Sequence, residues 1–593
     1  MKKKFADISK PGQGKLKNAL AFASFMVSRP GYQLFKKAAK KLSARAGIGG
    51  GQKISYDEWA KAASNADVLK KEYDAIFPTL KIKPQIGIIL PEMNGEAKEI
   101  QISIDSVLTQ SYANLQLFIV ANSDNNTEEL RKIYTEQDKR IGLSLKQEDL
   151  TTTGVDYLLF MKPDDVLAPN CLLAFAGHIN NHPNDELVYC DEDFIDDTGH
   201  LSKPYFKPDW AQDNLLSGNY IGNAALIKKE LLVKCAVVNT AAVASDTYDL
   251  WLRATEQTSH IGHIVKMLYH KRITAVNEET ISSGKMALED AMLRRGTPAT
   301  VIALPNAPGN YRIQYTVVHP EKVSFIIPTK DQPSLLKTAI DSIIERTDYP
   351  DYEIIVLDNN SNTPEFFALM QEYEQRHPSV FRCEKAAFPF NYARLMNLGA
   401  SLSTGTYLLM LNNDVAVIHA DWMTQMVSYA QRAHTGAVGA KLLYPDDTVQ
   451  HAGIVLGVNG DAAHVFAHKK KDDSGYFNYL QTVRNYAAVT GACMMCRKAV
   501  YDSVGGMDER LVVEYNDIDL CLKFISEGYS NVYLPTVALY HYESATRAHP
   551  FRSRKSYKQH EQDLAIFKGK WGKYTTDDPY YNHKLIERFS DTK

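Results

Sequence analysis

Disulfides, membrane-length apolar runs and phosphate-cradling glycine loops are what this 593-residue sequence lacks. Its seven cysteines, at positions 171, 190, 235, 383, 493, 496 and 521, are scattered and odd in number. That pattern suits a reducing compartment and excludes a disulfide framework. No apolar run reaches the roughly 20 residues of a membrane helix. The early run from Ala19 to Val27 is too short. Lys2 to Lys4 precede it as in a signal peptide, but more basic residues flank it and no small-residue cleavage site follows, so export is not expected. The 33 glycines are spread out. Cys493 and Cys496 have zinc-like spacing, yet they lie in an apolar strand-like run without a second pair, which reads as core thiols. The bulk of the chain is ordinary for a globular protein, with 45% hydrophobic and 23% charged residues and a net charge of -3. Its length implies two or more domains.

The charge is unevenly placed. Residues 1–47 carry twelve Lys and Arg against the single acid Asp7, interleaved with Phe22, Phe25, Met26, Leu34, Phe35 and Leu42. A basic, partly amphipathic segment of this kind suits an anionic membrane surface; a solvated tail is the plainer alternative, and no nucleic-acid partner is expected. Gly47 to Gly51 reads as a flexible break, and residues 55–80 as helical. Together they make a basic helical N-terminal segment over 1–83.

From Gln85 onward short apolar runs alternate with helix-period segments, the pattern of a mostly parallel α/β sheet. Ile86 to Pro91, Leu115 to Val120 and Tyr157 to Met161 read as strands. The same order returns at Val323 to Pro328, Glu353 to Asp358 and Tyr407 to Leu411. Pro91 and Pro328 are 237 apart, Asn122 and Asp358 236, Asp164 and Asp414 250, Asp249 and Asp519 270, and His270 and His541 271. A slowly growing offset describes two copies of one fold with small insertions in the second. The expected boundaries are 84–315 and 322–560, with a C-terminal helix and tail over 561–593 packing on the second copy.

The two copies differ in their acids. In the second, Asp358 closes one strand, where a nucleotide can be gripped. Asp414 closes another, where a carboxylate can hold a divalent metal beside a departing diphosphate. Asp517 and Asp519 open a helix, whose N-terminus favours the ionised form that a general base requires. In the first copy Asn122, Lys162-Pro163-Asp164 and Thr247 stand at the matching places. An ammonium there repels a metal, and a threonine is no carboxylate base. The first copy therefore reads as a fold without its reaction, left to bind glycan, hold an acceptor or brace its partner. His451 and His464 either line the site or pack; His541 either completes a metal site or is a hydrogen-bonded structural histidine.

These motifs resemble a known family. Phe325 to Asp331, Ile355 to Ser361, Phe390 to Gly399, Leu411 to Asp414, Gln450 to Gly453, Asn516 to Cys521 and His541 to Ser544, with Tyr189 to Asp193 and Lys207 to Trp210 in the first copy, are similar to those of inverting family 2 glycosyltransferases with the GT-A fold. Within that family the likeness is to tandem-domain bacterial enzymes of O-antigen and polysaccharide assembly, of the rhamnosyltransferase type. The resemblance implies two tandem GT-A-like, Rossmann-like domains. It implies Asp517 as general base and a donor-binding set of Thr329, Asp331, Asp358, Asn391, Arg394, Asn397 and Asn413. It also implies Mg2+ or Mn2+ held by Asp414 and His541. Asn412 replaces the first acid of the family's usual Asp-x-Asp, which weakens the metal site by one carboxylate. The implied activity moves a sugar from dTDP-rhamnose or a UDP-sugar to a lipid-linked or growing cell-surface polysaccharide, at the cytoplasmic face of the membrane. A bifunctional two-site polymerase and a non-catalytic glycan-binding scaffold are the alternatives.

Overall fold

A computed structural model describes residues 55–91, 97–120, 138–143, 154–236, 247–458, 461–542 and 554–586. The basic stretch 1–47, Asn122 and Glu543 to Ser544 lie outside these described residues. The helical expectation over 55–80 resolves into two helices, Tyr56–Ala63 and Ala66–Ile76. They break because Asn65 turns its side chain onto the Val68 N–H and caps the second.

Strands buried on both faces organise each copy. In the first copy the strands are β1 (Ile86–Pro91), β2 (Leu115–Val120), β3 (Ile141–Leu143), β4 (Tyr157–Phe160), β5 (Val166–Leu167), β6 (Leu187–Ile195), β7 (Leu201–Tyr205), β8 (Ala225–Lys228) and β9 (Ile261–Arg272). A hairpin of β10 (Ala299–Ala303) and β11 (Tyr311–Tyr315) follows. The second copy contributes β12 (Val323–Thr329), β13 (Tyr352–Asp358), β14 (Phe381–Lys385), β15 (Tyr407–Leu411), β16 (Val415–Val417), β17 (Thr435–Leu443), β18 (Val449–His451), β19 (Ile454–Val458), β20 (Asp461–His464), β21 (Arg484–Tyr486), β22 (Cys493–Arg497) and β23 (Ser530–His541).

The first sheet runs β3-β2-β1-β4-β8-β6-β9-β5 with β7 on β6; the second runs β14-β13-β12-β15-β22-β17-β23-β16 with β18 on β17. The orders match position by position. In both, the apolar runs at one edge pair in parallel, β1 with β2 and β4, β12 with β13 and β15. The next strand, β8 or β22, enters antiparallel. A crossover connection between parallel strands needs a helix on the sheet face, and the helices Pro333–Arg346 and Tyr392–Leu402 supply it with buried Leu336, Ile340, Leu395 and Met396.

The larger block of added residues in the second copy falls between β18 and β22. From the start of β7 to the start of β8 the chain advances 24 residues, from 201 to 225; from β18 to β22 it advances 44, from 449 to 493. The extra segment holds the hairpin β19–β20 and strand β21, which pairs with β23. It also ties the copies together. Asn485 of β21 donates to Asp213 at 2.8 Å, Ser217 donates to the Val483 carbonyl at 2.9 Å, and Phe477 stacks on Tyr205 with centroids 4.1 Å apart. Beside them Arg432 meets Asp213 at 2.5 Å, both buried.

The C-terminal helix spans Arg554–Trp571, beginning earlier than its apolar pattern suggests. The tail beyond it returns to the first copy, where Asn582 donates to the Asp191 carboxylate and the Lys207 carbonyl. Among the described residues no helix is long and apolar enough to cross a membrane.

Candidate functional site

The parallel strands of the second sheet deliver Thr329, Asp358 and the turn Asn412–Asp414 to one edge, since Thr329 and Asp358 are register partners at the ends of β12 and β13. Ligands of open α/β sheets gather at such strand ends. A cavity of about 480 Å3 opens there, lined by Thr329, Lys330, Gln332, Asn359, Asn360, Phe390 and others. A second, of about 670 Å3, lies alongside, lined by Gln450, Asp461, His464, Glu514, Asp517, His541 and His560 among others. Tyr392 and Asn412 line both, so the two are neighbours.

Of the carboxylates, Asp517 faces the larger cavity. It follows Tyr515, whose φ of 62° turns the backbone into the helix Asn516–Ser526. Its oxygens accept from the backbone N–H of Gly491 and of Ile518, each at 2.9 Å. Among the described residues no cation is paired with it; backbone N–H groups, one of them at the helix start, are what meet it. Asp519, two residues on, faces the other way. It is fully buried and takes hydrogen bonds from Lys570 Nζ at 2.6 Å and Trp571 Nε1 at 2.7 Å. The pair at the helix start thus separates into a cavity acid and a packing acid.

Asp414 is buried and stands 3.2 Å from His541 Nε2 through its Oδ1. Proximity is all they share, because Oδ1 has no aligned hydrogen bond. His541 points its Nδ1 at the Gln450 side-chain oxygen, which can only accept, so that nitrogen carries the proton. In the neutral ring Nε2 then presents a lone pair, which the Asn412 side-chain amide meets at 3.2 Å, the same distance as the Asp414 oxygen. With the Asn412 amide displaced, these two buried Lewis bases would offer two ligands to a divalent cation. Among the described residues no cluster of three His, Cys, Asp or Glu could hold a metal. A cation held there would draw its remaining ligands from phosphate oxygens and water, as is usual for Mg2+.

The other expected donor residues divide. Thr329 and Asn413 line the strand-end cavity and bond each other at 2.9 Å. Asp358 and Asp331 are not among the lining residues of either cavity. Asp358 accepts from the Ser361 N–H at 2.7 Å, and Asp331 from the N–H groups of Asn362 and Thr363. Those backbone bonds hold the Asp331 carboxyl below the usual carboxylate value. Both acids brace the loop that presents Asn359 and Asn360. Asn391 caps its helix by accepting from the Arg394 N–H, and Arg394 lies exposed 4.2 Å above the Phe388 ring. Asn397 donates to the Met507 carbonyl and to Glu509, and accepts from Tyr501 and the Met507 N–H.

Sequence reasoning passed over Asp461, Glu514 and His560, all of which line the larger cavity. The growing offset between the copies was the available signal for Asp461, which sits on the added hairpin. The two histidines take different places. His451 is fully buried, and burial beside His464 pushes it well below its ordinary value; His464 lines the cavity. Cys493 and Cys496 are buried on β22 in different hydrophobic clusters. Three residues apart on a strand, they face opposite sides of the sheet and cannot grip one ion.

In the first copy the matching groups among the described residues are engaged elsewhere. Thr247 is buried with its hydroxyl at 3.1 Å from Asn223 Oδ1, Asp249 pairs with Arg253, Asp164 with Arg272, and His270 with Asp193 at 2.6 Å.

Residues 324–505 match the family model described as glycosyl transferase family 2. The chain is 34% identical over 532 residues to a Sinorhizobium fredii protein named "Uncharacterized protein y4gI", covering 85% of this chain and 58% of that one. It is 33% identical over 557 residues to the O-antigen biosynthesis protein RfbC of Myxococcus xanthus, covering 90% and 43%. The chain therefore spans about half the length of these relatives. Among solved structures, a mannosyltransferase from Pyrobaculum calidifontis in complex with GDP-Man and Mn2+ shares 18% identity at a TM-score of 0.32, over 42% of this chain and 64% of that one. Residues 324–505, within the second copy, are thus a glycosyl transferase family 2 domain.

Proposed function

We propose that the chain is an inverting glycosyltransferase acting in polysaccharide assembly, with one working site, in the second copy. The strand-end cavity takes the nucleotide of a nucleotide diphosphate sugar, with Thr329, Asn413, Asn359 and Asn360 offering polar groups and Phe390 an exposed aromatic face. The neighbouring cavity takes the acceptor. Asp517 receives the proton of the attacking hydroxyl, whose oxygen bonds to the anomeric carbon as the bond from that carbon to the diphosphate breaks. A single displacement of this kind inverts the anomeric centre. A carboxylate is a weak base, and Asp517 serves because the hydroxyl acidifies only as the sugar bond breaks. Asp414 and His541 would hold Mg2+ or Mn2+, which neutralises charge on the departing diphosphate when bound.

The observation that carries this reading is the position of Asp517, without a cation partner among the described residues, on a cavity whose wall continues through His541 to Asp414. We read the units as 84–315 and 322–560, flanked by the basic segment 1–83 and the tail 561–593. The first unit braces the second, because the added segment that walls the cavity is the one that docks on Asp213 and Ser217. The donor is dTDP-rhamnose or a UDP-sugar, and the acceptor a lipid-linked or growing cell-surface polysaccharide, in line with the relative named for O-antigen biosynthesis. The basic N-terminus suits attachment to the inner face of the membrane.

The test is Asp517→Asn assayed with a panel of nucleotide sugars and Mn2+. Transfer should fall by about 10²- to 10⁴-fold, the usual worth of a general base, while UDP or dTDP binding stays near wild type. Turnover at the wild-type rate would remove Asp517 from the mechanism.

A further inference from the structure

The acid that serves the proposed reaction sits at the end of a segment that does not hold itself in place. Residues 512–514 lead through the left-handed Tyr515 into Asp517, and their N–H groups point away from any strand. They are taken up by one side chain. Asp563, fully buried on the C-terminal helix Arg554–Trp571, accepts from Val513 and Glu514 at 3.0 Å each and from Val512 at 3.4 Å, and is steadied by Gln559 at 2.8 Å. A carboxylate taking several backbone N–H groups is a strong anchor, because each bond is charge-assisted.

The same helix grips the following turn at further points. Phe567 stacks on Tyr515 with centroids 4.9 Å apart, and His560 pairs with Glu514 at the cavity wall. Lys570 and Trp571 hold Asp519, two residues past the proposed base. From the other side the Tyr392 N–H donates to the Val512 carbonyl at 3.0 Å. None of the residues lining the strand-end cavity belongs to the C-terminal helix.

We infer that the C-terminal helix is part of the catalytic apparatus, with Asp563 as a positioning residue that fixes the 512–515 turn and thereby the Asp517 carboxylate. This rests on the glycosyl-transfer reading of the site. It separates two roles within one sheet unit. Donor binding belongs mainly to strand ends the helix does not touch, with Val513 the one residue of the clamped turn that lines that cavity, whereas the reach of the base depends on a helix about fifty residues downstream.

Full-length Asp563→Ala and Asp563→Asn test it by three readouts. Hydrogen exchange should show the Val512, Val513 and Glu514 amides opening in the alanine variant. Titration with UDP and Mn2+ should give a Kd within about twofold of wild type, while kcat drops about 10- to 100-fold, the cost of a misplacement near 1 Å. Asparagine keeps one acceptor oxygen and should restore most of kcat. Amides 512–514 that stay protected in Asp563→Ala overturn the clamp. So does unchanged turnover once they have opened, or UDP affinity lost in step with kcat. If the alanine variant does not fold, the asparagine variant carries the same readouts at smaller amplitude. Wild-type protein inert toward every nucleotide sugar sinks the glycosyl-transfer reading. An active wild type whose Asp563→Ala variant matches it sinks only the clamp.

Discussion

The two sheets are one design carried out twice, and they differ in what their polar groups are left to do. Strand for strand the orders agree. Yet in the first copy Asp164, Asp249 and Asp193 each have a basic partner, and Thr247 is closed into its own hydrogen bonds. In the second, Asp414 keeps an oxygen without an aligned donor and Asp517 is held by backbone alone. A buried acid with a matched cation is satisfied and inert. An acid as buried as Asp414 without one is costly, and tends to persist where a ligand completes it; Asp517 is half-buried and meets the cavity directly. The lesson is that the fold supplies strand ends, and chemistry appears only where the charges at those ends are left uncompensated.

That contrast can be broken most forcefully at its acids. Asp414→Ala should abolish metal-dependent tightening of UDP binding, a loss exceeding the roughly 10- to 100-fold seen when only outer partners of a metal are changed. Asp164→Ala in the first copy should leave the same titration untouched. Identical curves with and without EDTA for wild type would dissolve the distinction. Next comes the seam. Asp213→Ala strands Arg432 as an uncompensated buried charge and should cost about 3–5 kcal/mol in chemical denaturation. If the first copy is a brace, activity should fall with stability; full activity in a destabilised variant would make the first copy dispensable.

A smaller effect is expected at Asp249. Replacing it with alanine should remove a pair with Arg253 that is only part-buried and change neither rate nor linkage. Loss of one of two linkages in the product would instead revive a two-site polymerase. The subtlest handle is pH. Burial raises the Asp578 carboxyl to about 7, whereas the unfolded chain releases that proton near pH 4. Between about pH 4 and 7 the folded state therefore binds the extra proton, and the stability it contributes, complete below pH 4, is lost as pH rises to 7. Asp578→Asn should flatten that part of the Tm profile, and an unchanged slope would place the titration elsewhere.

The duplication was legible in the sequence because buried strands on both faces leave uninterrupted apolar runs, and a slowly drifting offset between such runs survives divergence. The growth of that offset from 250 at Asp414 to 270 at Asp519 implies only small insertions; that it builds a hairpin and a strand is visible in the fold. The site was less legible because its walls come from residues far apart in the chain. Asn397 can be recognised as a motif residue, but that its amide is spent on Met507 and Glu509, over a hundred positions away, is a fact of packing. His560 reaches the cavity only because the C-terminal helix folds back over Tyr515, and nothing in the local pattern of that helix announces the contact.

One buried ring sets the polarity of a neighbour that meets solvent. His451 accepts at Nε2 from the N–H groups of Gly453 and Thr490, so its hydrogen must sit on Nδ1, which lies 2.9 Å from His464 Nδ1. His464 is thereby the recipient, and in its neutral form keeps its own hydrogen on Nε2. The imidazole on the cavity wall thus has its tautomer set by a partner that never sees water.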